Sequence, residues 1–208
     1  SDSRVYLPLS GSMTVLDHDG TEIKDGESLN ITPMEYPVAG ASISPDGTEV
    51  VAATGNGGNG NDEAYLYDTE TESVRWTFDG GYAGGVTTHT GNVVLHSAEG
   101  GISFIDADNG SVIDSISKDT YDLTSTNDGK YAAYSTSTEV GLIDMESRTV
   151  VDTLSISSAY EIDMVEHNGE YTLFAGQSSE WKRISTGVTP GESVTGTVTD
   201  NGGDPVAN

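Results

Sequence analysis

The chain has 208 residues, carries 34 Asp and Glu against 8 Lys and Arg for a net charge of −26, and has no cysteine. That balance repels the phosphates of nucleic acid and anionic lipid heads, so neither is expected as a partner, and without thiols no disulfide or thiolate metal centre can form. No run of about 18 apolar residues occurs, so no membrane insertion through a helical span is expected.

Taken in chain order, the predicted elements are all strands: runs of four to eight residues rich in Val, Ile, Thr and Tyr, bounded by Gly, Asp, Asn and Ser. Residues 4–9, 13–17 and 27–31 read as strands two, three and four of a first unit that lacks its innermost strand. A second unit opens at Val38, turns at Ser44-Pro45-Asp46-Gly47 and continues over 49–54. Pro and Gly at the second and fourth places suit a type I turn. A Gly/Asn-rich loop, 56–61, then precedes the run ending at Asp68. The third unit comprises 84–88, 92–97, 101–106 and 111–117, and the fourth 121–125, 130–135, 140–144 and 149–156. A fifth has 160–165, a turn over 166–169, then 171–175 and 181–185, and a spare strand follows at 194–198.

These units are copies. Asp68, Asp106 and Asp144 stand 38 residues apart, and so do Val74, Val112 and Val150. A repeat of that length built from short strands is one supersecondary unit copied along the chain, and four antiparallel strands joined by short turns make one propeller blade. The expected fold is therefore all-β: a β-propeller of about five four-stranded antiparallel blades. Its blades would span about 4–33, 37–80, 83–118, 121–157 and 160–187, within a domain of 1–191. Residues 192–208 would be a closing strand or the start of a following domain.

The stretch Ser44-Pro45-Asp46-Gly47-Thr48-Glu49-Val50-Val51-Ala52 resembles the turn and strand of YVTN/WD40-like β-propeller repeats. The segments from Phe104 to Ile113 and from Leu142 to Val151 are similar to another part of the same repeat. This resemblance implies a propeller serving as a general platform. The segment from Leu66 to Trp76 also looks like a quinoprotein blade with a docking Trp. However, Asp114 and Asp152 occupy the matching places in the next units, and Glu72 stands where that family has Gly, so no quinone cofactor is expected. The tail from Val194 to Asn208 resembles the opening of a carboxypeptidase-regulatory-like, immunoglobulin-like domain, which implies a longer multidomain chain or assembly. The alternative is a strand that closes the propeller.

Acids spread through turns and alternate strand positions, with only four Lys, suit a protein of concentrated salt, where screening over about 3 Å at 1 M removes self-repulsion. The expected setting is the outer surface of a halophilic archaeal cell, with a haloarchaeal virus particle as the alternative and an acidic mesophilic secreted protein as a third. The expected function is a non-enzymatic recognition or structural module of a surface or adhesion protein, which meets a protein or glycan through one propeller face. A virus capsid or tail module for host recognition is an alternative. Another is an enzyme acting at the channel mouth. No H-x-H, H-E-x-x-H or G-x-S-x-G spacing supports catalysis, and His18, His89, His96 and His167 are dispersed.

Candidate site residues are few. Asn59, Asn61, Asp62 and Glu63 offer oxygen donors for calcium, although hairpin-turn chemistry uses the same residue types. Asn30 and Asn109 head N-glycosylation sequons, Asn30-Ile31-Thr32 and Asn109-Gly110-Ser111. Tyr36, Tyr82, Tyr121 and Tyr160 each precede an innermost strand and are expected to ring one mouth of the central channel. They form either a binding surface or a packing layer.

Overall fold

The computed structural model describes residues 4–9, 12–28, 38–54, 63–79, 84–87, 92–97 and 101–190. Those residues hold 18 strands and no helix. The first sheet contains β1 (Val5–Leu9), β2 (Ser12–Leu16) and β3 (Glu22–Ser28). The second contains β4 (Val38–Ile43), β5 (Glu49–Thr54), β6 (Glu63–Asp68) and β7 (Ser73–Asp79). The third contains β8 (Gly84–Thr87), β9 (Asn92–Ser97), β10 (Gly101–Asp106) and β11 (Val112–Ile116). The fourth contains β12 (Asp122–Ser125), β13 (Tyr131–Ser135), β14 (Glu139–Asp144) and β15 (Thr149–Ser155), and the fifth β16 (Glu161–His167), β17 (Glu170–Gly176) and β18 (Trp181–Ser185). Each sheet is an antiparallel meander in sequence order. Five antiparallel sheets of three or four strands, packed one after another, are consistent with a β-propeller-like fold.

The repeated residues have structural duties. Asp68 Oδ1 accepts the amides of Glu70 and Thr71 at 3.0 and 2.8 Å, and Asp144 Oδ1 accepts those of Glu146 and Ser147 at the same two distances. Asp106 Oδ1 accepts Asp108 N at 2.8 Å. Each carboxylate thus satisfies amides of the turn that follows the third strand. The pairing then slips at one equivalent step in all three sheets, after Leu66, Phe104 and Leu142, and resumes at Val74, Val112 and Val150. These are β-bulges, repeated with the sequence. The turn before each bulge needs a left-handed residue. Gly110 supplies it in the third sheet (φ 74°), whereas Glu72 (φ 53°) and Arg148 (φ 57°) fill it in the second and fourth.

Second strands are buried on both faces, so their sequences are continuous apolar runs rather than alternations. In β5, Val50 and Ala52 join Met13, Val15, Tyr65 and Tyr67 on the side of the first sheet. Val51 and Ala53 face the other way, toward Val93, Leu95, Ile105 and Ala107 of the third. β13 repeats this arrangement. Ala132 and Tyr134 pack with Val94, Ile102 and Phe104, and Tyr131 and Ala133 pack with Ile162, Met164 and Leu173. First strands lie side by side, β4 on β8, β8 on β12 and β12 on β16.

Each apolar seam also carries polar ties. Lys24 pairs with Glu72 across the first seam. Across the second, Trp76 Nε1 donates to Ala107 O at 2.8 Å and Arg75 Nη1 reaches the same carbonyl at 3.4 Å, while within its own sheet Arg75 binds Asp68 at 2.6 Å and Glu49 at 2.5 Å. Lys118 meets Glu139 at 2.8 Å across the third, and Ile162 N donates to Asp122 Oδ2 at 2.8 Å across the fourth.

Two expected boundaries differ. The third strand of the first sheet starts at Glu22, not at residue 27. A tight turn, in which Gly20 (φ 82°) donates its amide to Asp17 O at 2.9 Å, brings the chain straight back into pairing. In the fifth sheet β16 runs to His167, and only Asn168 (φ 55°) and Gly169 (φ 78°) turn the chain. Both residues in the left-handed region is the two-residue Asn-Gly hairpin geometry.

Candidate functional site

In the fourth sheet the connection that enters the first strand and the turn that joins the second strand to the third emerge at the same end, and the connection into the fifth sheet leaves from there too. There the segments 117–121, 136–139 and 156–160 lie together. Tyr121 N donates to Ser135 O at 2.9 Å, Ser158 N to Ser137 O at 2.9 Å and Ile156 N to Thr138 O at 3.0 Å. The 136–139 turn is fixed from within, because Thr136 Oγ1 accepts the amides of Thr138 and Glu139 at 3.2 and 3.1 Å.

Two features result. The first is a cleft of about 370 Å³ between the third and fourth sheets, walled by 117–119 and 136–139 with Gly101 at its base. Glu139, which lines it, accepts at Oε1 from Lys118 Nζ of the opposite wall at 2.8 Å and from the buried Tyr134 Oη beneath at 2.7 Å. Burial works to raise the Glu139 carboxyl, but those two bonds and the lysine charge outweigh it and hold the group below the ordinary glutamate value. Burial, reinforced by the same contact, pushes the Tyr134 phenol well above its usual range.

The second feature is the Tyr121–Tyr160 pair. Their ring centroids are 5.3 Å apart at 31°, and the residues are 43% and 50% exposed although Leu123 and Ile162 just beyond them are buried. Sequence spacing had grouped these two tyrosines, and the structure brings them into contact across successive sheets. Tyr36 and Tyr82 lie outside the described residues.

Asp122 follows Tyr121 and links the fourth sheet to the fifth, with its carboxylate accepting Leu123 N and Ile162 N at 2.8 Å each. Burial raises its pKa, the two amides oppose this, and the nearby charges of Glu161 and Asp163 add to the rise. A carboxyl raised in the folded state favours folding while protonated, and that contribution is lost as pH rises through the folded value. Asp122→Asn keeps only one acceptor oxygen and turns an NH2 group toward the other backbone amide, so it is expected to lower the melting temperature. The loss should be larger in acid than at pH 7, because the protonated Asp122 that it replaces is most favourable below the ordinary aspartate range. Melting curves of both proteins across pH 3–8 check this.

The other expected sites separate. Asn59, Asn61 and Asp62 lie outside the described residues, and Glu63 opens β6 opposite Asp79. Asn30 also lies outside them. Asn109 is exposed in its turn, and its Oδ1 accepts Ser111 N at 2.9 Å. Among the described residues, no three His, Asp or Glu side chains gather as a metal-ion cage. His18 and His167 are exposed in hairpins. The cleft itself was missed from sequence because its walls come from two units. The faint signals were the Ser135-Thr136-Ser137-Thr138 run and Lys118, one of four lysines.

No protein-family model matches the chain, and no curated protein matches it. Solved structures share the fold. A chain of hydrazine synthase from Kuenenia stuttgartiensis superposes with a TM-score of 0.62 at 14% identity, over 91% of this chain and 59% of that one. A functionally unknown protein from Desulfotomaculum acetoxidans superposes with a TM-score of 0.65 at 15% identity, over 95% of this chain and 64% of the other. The chain thus spans about three fifths of the length of these two neighbours, and identities this low carry the architecture alone.

Proposed function

We propose that this chain is a non-enzymatic recognition module, a β-propeller of about five blades within an extracellular surface or adhesion protein of a halophilic archaeon. The observation that carries the reading is the end face of the sheets, where an exposed tyrosine pair stands beside a polar cleft. Large aromatic rings left at the surface in contact with each other mark an interaction site more than a packing layer. The acidic skin supports the saline setting, because a net charge of −26 on 208 residues repels itself unless screened.

Two experiments test the reading. Fluorescently labelled protein is expected to decorate haloarchaeal cells in 3 M KCl, and a Tyr121→Ala/Tyr160→Ala variant is expected not to. Equal decoration by both, or by neither, removes the tyrosine face as a recognition surface. For the saline setting, thermal melts should rise on the order of 10 °C or more between 0.1 and 3 M KCl, as the screening length falls from about 10 Å to about 3 Å or less. A flat salt dependence contradicts the brine assignment.

A further inference from the structure

We propose that the cleft between 117–119 and 136–139, together with the Tyr121–Tyr160 pair, binds a neutral oligosaccharide. The inference rests on the recognition-face reading above and names the ligand class for it.

The two features stand on segments joined by backbone hydrogen bonds. Tyr121 follows the 117–119 wall after a single residue, and the 136–139 wall is hydrogen-bonded to the segment that leads into Tyr160. Their chemistries are complementary to a sugar. Two exposed rings 5.3 Å apart offer apolar area for the C–H face of a pyranose. The cleft offers both kinds of hydrogen-bonding group: the Lys118 ammonium donates, the Asp119 carboxylate accepts, and the Ser117 and Ser137 hydroxyls do both. A sugar hydroxyl also donates and accepts, so a mixed lining suits it better than it suits an ion of either sign.

Charge narrows the class further. In brine the local charges decide: Lys118 is already paired with Glu139 and Asp119 adds a second carboxylate to the lining, which disfavours uronic, sulfated and phosphorylated glycans. A cationic peptide finds the Glu139 carboxylate already paired with Lys118 and gains only that of Asp119. Size agrees as well. A volume of about 370 Å³ falls at the lower end of ligand-sized pockets, which run from roughly 300 to 1,000 Å³. It accommodates one or two rings, with the chain continuing over the tyrosines.

The experiment uses the full chain in 3 M KCl with maltopentaose, mannopentaose and chitopentaose, and with penta-galacturonate as the anionic control. Calorimetry is expected to show binding of at least one neutral pentasaccharide and none of the galacturonate. Saturation-transfer NMR on the unaltered protein should place the contact at tyrosine ring protons, so the result does not depend on a variant folding. Tyr121→Ala/Tyr160→Ala should weaken binding at least tenfold with an unchanged far-ultraviolet spectrum. Absence of neutral-sugar binding, binding unaffected by the double substitution, or equal binding of galacturonate overturns the proposal. A random peptide library panned on the unaltered chain and on the double variant separates the two levels. Tyrosine-dependent peptide enrichment without sugar binding overturns the glycan assignment and leaves the recognition face standing. Enrichment of neither kind overturns both.

Discussion

Trp76→Ala is expected to cost about 3–5 kcal/mol, the range for deleting a large buried aromatic side chain. The indole is 9% exposed and packs in the second seam with Leu66, Val93 and Ile105. Its Nε1 donates to Ala107 O, and a Cβ added at Gly110 would lie 3.0 Å from its Cγ, so the next sheet's turn is moulded to it. Truncation opens a void that this turn cannot fill without disturbing the Asp106 contacts. At roughly 2–4 °C per kcal/mol for a chain of this length, the melting temperature should fall by about 10 °C. Because each sheet packs mainly on its neighbours, stability should behave as a sum of local and neighbour terms. The melt should therefore broaden or split as the first two sheets uncouple from the last three. Trp76→Phe separates the contributions: it keeps most of the bulk and leaves Ala107 O with only the long Arg75 contact at 3.4 Å, for a cost of about 1–2 kcal/mol. Calorimetry of the three proteins checks both figures, and an unchanged Trp76→Ala melt would refute the account of this seam.

The second large effect is expected at Gly141. It pairs directly with Tyr134 across β13 and β14, and the tyrosine ring lies over it so closely that an added Cβ would come within 2.3 Å of the ring. Tyr134 is fully buried and bonded to Glu139, so the ring cannot move aside freely. Gly141→Ala should cost about 3 kcal/mol, from overpacking of roughly 1–3 kcal/mol plus loss of a charged hydrogen bond. The substitution should also have a pH signature. Glu139 is held below the ordinary glutamate value partly by Tyr134, so its carboxylate contributes stability above the unfolded value, and this is lost as pH falls through the folded one. Weakening that bond should flatten the acid limb of the stability curve. In a double-mutant cycle with Tyr134→Leu, Gly141→Ala should become nearly neutral, since the obstructing ring is gone. Additive costs would contradict the contact.

The strand-rich architecture was legible because its punctuation is chemical. Asp68, Asp106 and Asp144 recur because each caps the same turn, and Val74, Val112 and Val150 recur because each follows the same bulge. β3 was placed too late because Glu22–Ser28 has no apolar alternation, so only the turn at Gly20 reveals where pairing resumes. The turn at 166–169 was legible from its Asn168-Gly169 pair, but the polar Glu166 and His167 read as part of that turn rather than as the end of β16. Spacing grouped Tyr121 with Tyr160 because they occupy equivalent places in successive units, and their rings meet. The cleft stayed hidden because a hydrogen-bonded pair such as Lys118 and Glu139, in different units, has no sequence period. Asp122 was hidden among 34 acids, since only burial sets it apart.

The two-sided burial of β5 and β13 bears on how such a chain changes length over generations. Each middle unit presents one apolar flank to the unit before it and the other to the unit after it. An in-frame tandem duplication would thus insert a copy whose flanks already suit both of its new neighbours. Growth or loss by whole units should be easier to tolerate than insertion of a single residue within a strand, which would shift every later side chain of that strand to the wrong flank. Loops between strands are under no such constraint, and there lineages can experiment with new specificities while the stack beneath stays intact.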